Sequence, residues 1–167
     1  PHISFQFRKN GHILGSASVQ MKCYDKTIVF SGDIGRYQSD FLLPPANIDK
    51  ADYVIMESTY GDRLHGTKDS SEQLAAILNE ATDKHGTVLI PSFAVGRAQE
   101  IMHLINGLKK ENKISHWRPV FLDSPMAADA TEILCNNPKW HKLKHDECMS
   151  VCKDVVINRD WRKTQDI

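Results

Sequence analysis

Polar residues follow the short apolar runs of the sequence, at positions where they could take part in hydrolytic chemistry. Asp33 follows Thr27–Ser31, Glu57 ends Asp52–Glu57, Ser92 follows Thr87–Pro91, and Asp123 ends Pro119–Asp123. In parallel sheets ligands bind at the carboxyl ends of the strands, so these side chains are expected near one sheet edge. A single aspartate after a strand is more often a turn or cap residue, and the functional interpretation therefore depends on the whole set.

A histidine in a glycine-bounded loop is the first candidate metal ligand. His12 stands within Gly11–Ser16, where its ring can be held at a fixed angle for metal ligation. A lone loop histidine is usually just solvated. Ligation is therefore expected only if His12 is paired with Asp33.

The residues around Gly96 are the candidate substrate contacts. Gly96 precedes a predicted helix whose backbone N–H groups could face a phosphate, and Ser92 and Arg97 stand on either side of it. Arg97 could equally form a structural ion pair with Glu57 or Asp123. Both interpretations of Arg97 stay open on the sequence.

Two different patterns of apolar residues along the chain predict an α/β fold. An antiparallel meander with a turn at Asp25–Lys26 is predicted over Ile3–Phe7, Ser18–Tyr24 and Thr27–Ser31. After a spacer, strands at Asp52–Glu57, Thr87–Pro91 and Pro119–Asp123 recur about every thirty residues, each followed by a helical pattern. Three successive strand-helix units imply a mainly parallel sheet.

Capping residues predict where two of the helices begin. The first helix is expected near Asp69 or Ser70, because Ser70 and Gln73 have capping-box spacing. The helix after the last strand is expected to have Ser124 as N-cap and Pro125 at its first position. These boundaries place the polar residues described above in loops between strands and helices.

Composition limits the class of protein. The chain has 167 residues, no formal net charge and no apolar run of membrane-spanning length, which predicts a soluble globular protein without a membrane partner. Four cysteines are scattered rather than spaced as a disulfide framework, which favours a reducing compartment, the cytoplasm or, in a eukaryote, the nucleus. Without a global basic field, nucleic acid would bind through a local patch or a metal-centred groove.

The order of the motifs resembles the β-CASP branch of the metallo-β-lactamase superfamily, over residues 11 to about 134. The matching segments are the His12 loop, the Asp33 turn, Glu57–Gly61, Phe93–Glu100 and Leu122–Ala127. This family includes the endonuclease subunit of the pre-mRNA 3′-end processing machinery and bacterial ribonuclease J. The resemblance implies the C-terminal part of a metallo-β-lactamase αββα sandwich at residues 1–61, followed by the incomplete N-terminal part of a β-CASP domain, built from βα units, at residues 62–167.

The resemblance also implies roles for the site residues. His12 corresponds to a histidine that binds one metal, Asp33 to an aspartate that bridges two zinc ions, and Glu57 to the acidic residue of the first β-CASP motif. Asp33 and Glu57 are therefore the predicted catalytic residues of a zinc-dependent hydrolase of RNA phosphodiester bonds. The implied partners are single-stranded RNA, with DNA as the alternative, and a second copy of the protein or the subunits of a processing complex.

Two family motifs are absent from the sequence. No H-x-H-x-D-H segment occurs, and no Ser-Gly-His segment follows Asp123, so the chain is predicted to be an internal fragment. Catalytic zinc sites need at least three protein ligands for each metal, and His12 and Asp33 supply two. The fragment is therefore expected to bind no zinc tightly and to be inactive by itself.

Two other functions compete with the nuclease. One is a catalytically silent scaffold paralogue in an RNA-processing complex, which the retention of His12, Asp33 and Glu57 disfavours. The other is a small-molecule metallo-hydrolase, which the strand-helix units after Glu57 disfavour because the simple enzymes of the superfamily lack them.

A second metal site is conceivable near the end of the sequence. If residues 138–154 form one helix, a single face would hold His141, His145, Cys148 and Cys152. Structural zinc fingers draw ligands from separate elements, so core cysteines and exposed histidines are the favoured interpretation. The tryptophans at 117, 140 and 161 are interpreted as core residues, and the lysines at 109, 110, 113, 139, 142 and 144 as solvated surface, with nucleic-acid contact as the alternative.

Overall fold

The structure of the chain is a computed structural model that describes residues 2–64, 66 and 69–166. The chain divides into two compact units. The first unit comprises residues 1–64 and 139–142, and the second unit comprises residues 65–138 and 143–167. Among the described helices, none is both long and apolar enough to cross a membrane.

The first unit contains a four-stranded sheet in the order β1-β2-β3-β4. Its strands are β1 (Ile3–Lys9), β2 (Ala17–Cys23), β3 (Lys26–Phe30) and β4 (Tyr53–Ile55). The first three form an antiparallel meander, as the sequence predicts, and β4 pairs with β3 in parallel. The chain therefore leaves β3 at the same edge of the sheet at which it leaves β4.

The turn between β2 and β3 lies one residue earlier than predicted. Cys23 pairs with Lys26, so the two turn residues are Tyr24 and Asp25 rather than Asp25 and Lys26. Tyr24 takes a φ of 55°, the positive value that two-residue hairpin turns require at their first position. The alternation of apolar residues along the strands does not show which residue takes the positive φ of the turn.

The second unit combines helices with a pair of short parallel strands. Its elements are α1 (Ser70–Asp83), α2 (Arg97–Lys110), β5 (Phe121–Asp123), α3 (Pro125–Cys135), α4 (His145–Lys153) and β6 (Val156–Asn158). Strand β5 pairs with β6. Mixed helices and strands with parallel pairing confirm the predicted α/β class.

Facing sides of α1 and α2 form the main hydrophobic core of the second unit. The buried residues are Ala75, Leu78, Ile105, Leu108 and Ile114, and the partly buried Leu74, Val88, Ile101 and Val120 pack against them. Leu108 is 1% exposed, so its side chain is removed from water almost completely. Burial of this kind is the dominant favourable contribution to folding.

Two helix starts agree with the sequence, and one detail differs. Helix α1 begins at Ser70 because the Asp69 carboxylate accepts the Ser71 N–H at 2.8 Å. The cap is therefore Asp69, and Gln73 donates to the Asp69 carbonyl oxygen rather than forming a box with Ser70. In α3 the Ser124 hydroxyl accepts the Ala127 N–H, as predicted.

The predicted strand Thr87–Pro91 is wrong. Residues 86–93 are irregular, and in the part of the chain that the structure describes no strand pairs with them. Val88 packs against the core, but Leu89 is 85% exposed. An apolar run becomes a strand only when neighbouring strands pair with its backbone, and sequence pattern does not supply the neighbour.

Residues 138–154 do not form the single helix considered for them. A short 3-10 turn occupies Pro138–Trp140, an isolated bridge joins His141 to Leu42, and α4 begins only at His145. The bridge holds the backbone at His141 in an extended pairing, which interrupts a continuous run of helical hydrogen bonds.

Truncation of the most buried leucine tests the core of the second unit. We expect Leu108→Ala to lower the free energy of unfolding by about 2–5 kcal/mol, through lost burial and the cavity left behind. Urea unfolding followed by circular dichroism measures the change. Ile77→Ala on α1, where the side chain is 54% exposed, is the matched control and should change stability by about 0.5 kcal/mol or less. Equal losses in both variants would contradict the assigned core.

Candidate functional site

The His12 loop is closed by hydrogen bonds of its own. His12 and Ile13 donate their backbone N–H groups to the Ser16 hydroxyl at 3.2 and 3.1 Å, and this hydroxyl donates to the Ile13 carbonyl oxygen at 2.8 Å. Gly11 and Gly15 take φ values of 73° and 84°, which glycine adopts without strain. The loop thus holds His12, whose side chain is 47% exposed.

The Asp33 turn lies directly against this loop. Gly35 donates its N–H to the Asn10 carbonyl oxygen at 2.8 Å, and a Cβ added at Gly35 would lie only 1.8 Å from the Gly11 carbonyl oxygen. Only glycine allows this approach. As a result His12 Nε2 lies 3.9 Å from Asp33 Oδ2.

Glu57 contacts the Asp33 turn through the neighbouring residue. Its Oε1 accepts the Ile34 N–H at 2.5 Å, and its own N–H donates to the Ser31 hydroxyl at 3.0 Å. The pKa of Glu57 is lowered, first by the Ile34 N–H and then by the Thr59 hydroxyl, with a smaller contribution from the charge of His12. Partial desolvation opposes these effects without reversing them, so Glu57 stays ionised near neutral pH.

The structure brings together three of the sequence-predicted site residues. His12, Asp33 and Glu57 all belong to the first unit and meet where the chain leaves β1, β3 and β4. They do not converge on one point: among the described residues no three histidine, cysteine, aspartate or glutamate side chains form a group able to hold a metal ion. The local arrangement therefore supplies a pair of donors, His12 and Asp33, with an ionised carboxylate beside it.

The predicted substrate contacts Ser92, Gly96 and Arg97 belong to the second unit. Gly96 is the N-cap of α2, with a φ of 83°. Its N–H donates to the Gln99 Oε1 at 2.7 Å, and the N–H groups of Arg97 and Ala98 donate to carbonyl oxygens of the preceding loop at 3.1 and 3.2 Å. These three N–H groups already have acceptors within the second unit, and contact of Ser92, Gly96 and Arg97 with a substrate phosphate stays a prediction.

Within the second unit Arg97 pairs with Glu100 rather than with Asp123. Its Nη1 lies 2.6 Å from Glu100 Oε2, across one helical turn. Asp123 instead accepts from the Asn158 amide at 2.7 Å. Ser92 is exposed in the irregular segment that precedes α2.

Gln99 is an organising residue that sequence reasoning missed. The side chain is 3% exposed, and its Nε2 lies within 3.1 Å of three oxygens: Ala94 O, Ala127 O and Thr131 Oγ1. Together with the bond from the Gly96 N–H, these contacts connect the loop before α2 to α3. The glutamine three residues after a helix-starting glycine was the available signal, because a glutamine there can accept the N-cap N–H.

Two of the four cysteines are joined, contrary to the prediction that they are unpaired. Cys135 and Cys148 form a disulfide that connects α3 to α4, with their Cα atoms 5.7 Å apart. Cys23 is free, and the side chain of Cys152 lies outside the described part of the structure. Disulfide partners are set by the packing of the helices, which cysteine spacing does not reveal.

The second metal site is not formed as the sequence pattern suggested. Cys148 is bonded to Cys135, and His141 lies outside α4 and is 5% exposed, so the interpretation of His141 as an exposed histidine is wrong. The side chain of His145 is not among those described. A disulfide sulfur is not a thiolate, which removes one of the four proposed ligands.

Two tryptophans and one lysine differ from their predicted environments. Trp117 is 94% exposed and Trp140 is 53% exposed, whereas both were expected in a core; the side chain of Trp161 lies outside the described residues. Lys109 was expected at the surface but is 6% exposed. It is one of the buried residues of α2.

Comparison with known proteins places this geometry in a family. The Beta-Casp domain model matches residues 98–166. An RNase J-like protein of Methanocaldococcus jannaschii is 38% identical over 162 residues, which are 95% of this chain and 36% of that protein. A ribonuclease of Thermus thermophilus is 40% identical over 126 residues, 75% of this chain and 28% of that protein. The cleavage and polyadenylation specificity factor 73 of Drosophila melanogaster is 31% identical over 122 residues, 70% of this chain and 17% of that protein.

The chain belongs to the β-CASP branch of the metallo-β-lactamase superfamily. This confirms the resemblance found in the sequence motifs. The chain spans about a third or less of the length of these relatives, 36% of the first and 17% of the third.

Substitution of the contact glycine tests the junction of the two loops. We expect Gly35→Ala to lower the free energy of unfolding by at least about 2 kcal/mol, because the new methyl group meets backbone that must move. Gly107→Ala is the control, since a Cβ there meets nothing within 4 Å and a helical alanine is favoured. Urea midpoints compare the two, and an unchanged midpoint for Gly35→Ala would refute the contact.

The ionised state of Glu57 predicts a pH dependence. Because the pKa of Glu57 in the folded protein lies below its ordinary value of 4.5, ionised Glu57 contributes stability above that pH, and the contribution is lost as the pH falls through the lowered pKa. Glu57→Gln should therefore be less stable than wild type at about pH 7 and approach it at about pH 3. Asp25→Ala, whose side chain is 81% exposed, is the control for a general charge effect. A difference that does not change with pH would contradict the assignment.

Proposed function

We propose that this chain is part of a metal-dependent nuclease that cleaves phosphodiester bonds of RNA. The observation that carries the proposal is the pair His12 and Asp33, whose side chains lie 3.9 Å apart on two loops joined through backbone contacts. The names of the relatives support the substrate: an RNase J-like protein and a ribonuclease are among them.

The donor pair suits a zinc ion in chemistry and needs a small adjustment in spacing. Imidazole nitrogen and carboxylate oxygen are common zinc ligands, and two such ligands of one tetrahedral ion lie about 3.4 Å apart. His12 Nε2 and Asp33 Oδ2 lie 3.9 Å apart, and both side chains are accessible, with exposures of 47% and 71%, so a change of rotamer can bring them to the ligand distance. A closed catalytic site needs further ligands, which these two residues do not supply.

The proposal assigns each residue of the site a task. A bound zinc ion would polarise a phosphate oxygen and lower the pKa of a water molecule. His12 and Asp33 hold that ion, and they are oriented by the loops rather than by long side chains. Glu57 remains ionised beside them. The negative charge of a carboxylate stabilises the protonated form of a nearby general acid. Such an acid is needed to protonate the leaving oxygen when the phosphodiester bond breaks. Asp33 and Glu57 are therefore the proposed catalytic residues.

The domain assignment and the substrate contacts belong to the same proposal. Residues 1–61 are assigned to the C-terminal part of a metallo-β-lactamase domain and residues 62–167 to the N-terminal part of a β-CASP domain. Ser92, Gly96 and Arg97 are proposed to contact the substrate backbone. Arg97 is the best candidate of the three for a substrate contact, because its side chain is exposed. Its ion pair with Glu100, one turn away on the same helix, is also exposed enough to be exchanged for a phosphate.

Partners and compartment follow from the proposed substrate. Single-stranded RNA is the proposed partner, with DNA as the alternative, and the Drosophila relative, named as a cleavage and polyadenylation specificity factor, supports association with other subunits. The proposed compartment is the cytoplasm or, in a eukaryote, the nucleus. The Cys135–Cys148 disulfide stands against a reducing compartment, since cytosolic disulfides are uncommon.

Removal of the proposed bridging carboxylate tests the function. In the full-length protein we expect Asp33→Ala to lower the rate of single-stranded RNA cleavage at least about a hundredfold and to lower the zinc content. Asp25→Ala is the matched control, because it removes an exposed aspartate of the same unit whose sequence neighbour Lys26 is its one ion-pair partner among the described residues. Elemental analysis measures zinc, and labelled RNA and DNA of the same sequence measure cleavage.

The outcomes separate the competing functions. Cleavage of RNA by wild type and by Asp25→Ala but not by Asp33→Ala supports the nuclease, and preference for DNA would correct the substrate. A full-length protein that binds RNA yet holds no zinc and cuts nothing would instead support the scaffold paralogue. Hydrolysis of small esters without RNA cleavage would support the small-molecule hydrolase.

A further inference from the structure

Asn10 connects the two loops of the site and is not explained by any role assigned so far. It directly follows β1, immediately before the glycine that opens the His12 loop. Its side chain is 2% exposed, whereas His12 and Asp33 are exposed. A buried amide between two exposed loops calls for a physical reason.

The hydrogen bonds of Asn10 join the segments that carry both donors. Its side-chain Nδ2 donates to the Ser31 carbonyl oxygen at 3.0 Å, and its main-chain carbonyl oxygen accepts the Gly35 N–H at 2.8 Å. Its backbone N–H donates to the Ser16 carbonyl oxygen at 3.3 Å. One residue therefore contacts the far end of the His12 loop and both sides of the Asp33 turn.

The same network extends to the ionised glutamate. Ser31 receives the Asn10 amide at its carbonyl oxygen, and its hydroxyl accepts the Glu57 N–H at 3.0 Å and donates to the Gly32 carbonyl oxygen at 2.6 Å. A Cβ at Gly32 would lie 3.3 Å from Asn10 Nδ2, so the missing side chain gives the amide room. Asn10 thus acts on His12, Asp33 and Glu57 through backbone atoms rather than by touching them.

The side-chain amide of Asn10 has an acceptor that the described residues leave without a partner. Its Oδ1 is buried and has no hydrogen-bond partner among the described residues. Burying an acceptor without a partner is unfavourable, and an apolar side chain of similar size would avoid the cost. The amide is useful at this position for its donor, which fixes the distance between the two loops.

We propose that Asn10 is a positioning residue that sets the separation of His12 and Asp33 for metal binding. This inference rests on the proposed function, because it needs these two residues to hold a metal. Neighbours of metal ligands typically change metal affinity by about ten- to a hundredfold when they are removed.

Ser18 provides a matched control within the same network. Its hydroxyl donates to the same Ser31 carbonyl oxygen at 2.7 Å, and its side chain is buried, at 8% exposure. Asn10→Ala and Ser18→Ala each remove one of two side-chain bonds to that oxygen and keep the main-chain bonds of Asn10. The Asn10 amide reaches the oxygen from the segment that opens the His12 loop, whereas the Ser18 hydroxyl reaches it from β2. A merely structural role would make the two variants alike.

The test consists of one measurement with metal and one measurement without metal. Zn²⁺ is titrated into wild type, Asn10→Ala, Ser18→Ala and Asp33→Ala, and the His12 imidazole is followed by NMR, which detects weak binding. We expect Asn10→Ala to weaken zinc binding at His12 about tenfold and Ser18→Ala to leave it unchanged. Without metal, hydrogen exchange of the Gly35 amide should be about tenfold faster in Asn10→Ala than in Ser18→Ala.

The results distinguish a failure of the inference from a failure of the proposed function. If wild type binds zinc more tightly than Asp33→Ala while Asn10→Ala binds like wild type, or if both alanine variants weaken binding equally, Asn10 has no positioning role. If Asp33→Ala binds zinc like wild type, the metal site itself is wrong, and the positioning role is overturned with it. Slower loss of the Gly35 amide proton in Asn10→Ala than in Ser18→Ala would also overturn the inference.

Discussion

The close approach of Gly35 to Gly11 is the constraint on which the site depends. With a Cβ only 1.8 Å from a carbonyl oxygen, no other residue can occupy position 35 without moving one of the two loops. His12 follows Gly11 directly and Asp33 precedes Gly35 by two residues, so backbone contact brings both donors near each other. Loops held together in this way lose less conformational entropy when a ligand binds, which favours a preorganised site.

The charges of the site then determine what it attracts. Asp33 and Glu57 are two carboxylates beside one imidazole, and the Ile34 N–H and the Thr59 hydroxyl keep Glu57 ionised. This excess of negative charge favours a cation and opposes a phosphate that arrives without one. The neutral net charge of the chain gives no long-range attraction for RNA either. In the proposed nuclease, metal binding is therefore expected to precede the approach of a phosphodiester to these residues.

Sequence reasoning succeeded where a property belongs to one short segment and failed where a distant partner decides. The proximity of His12, Asp33 and Glu57 could be inferred because each follows a strand, and the caps Asp69 and Ser124 act on residues two or three positions away. Thr87–Pro91 needed neighbouring strands, and Cys135 needed to be recognised as the partner of a residue on another helix. Asn10 was missed for the same reason, because its amide acts on Ser31, 21 positions further along the chain.

At the start of α2 the buried Gln99 side chain accepts a backbone N–H of the helix terminus, which leaves the Arg97 side chain as the candidate phosphate contact. Gln99 accepts the Gly96 N–H and the loop carbonyls accept the next two, so the helix terminus has no free N–H among these residues to offer a phosphate. Arg97 is different: its guanidinium pairs with Glu100 at 2.6 Å, but the two side chains are 56% and 34% exposed. Exposed pairs of this kind contribute at most about 1 kcal/mol, whereas a guanidinium binds phosphate through two parallel hydrogen bonds. Exchange of the Glu100 carboxylate for a phosphate is therefore inexpensive, and for the proposed nuclease this assigns contact with the substrate backbone at α2 to the Arg97 side chain rather than to the helix terminus.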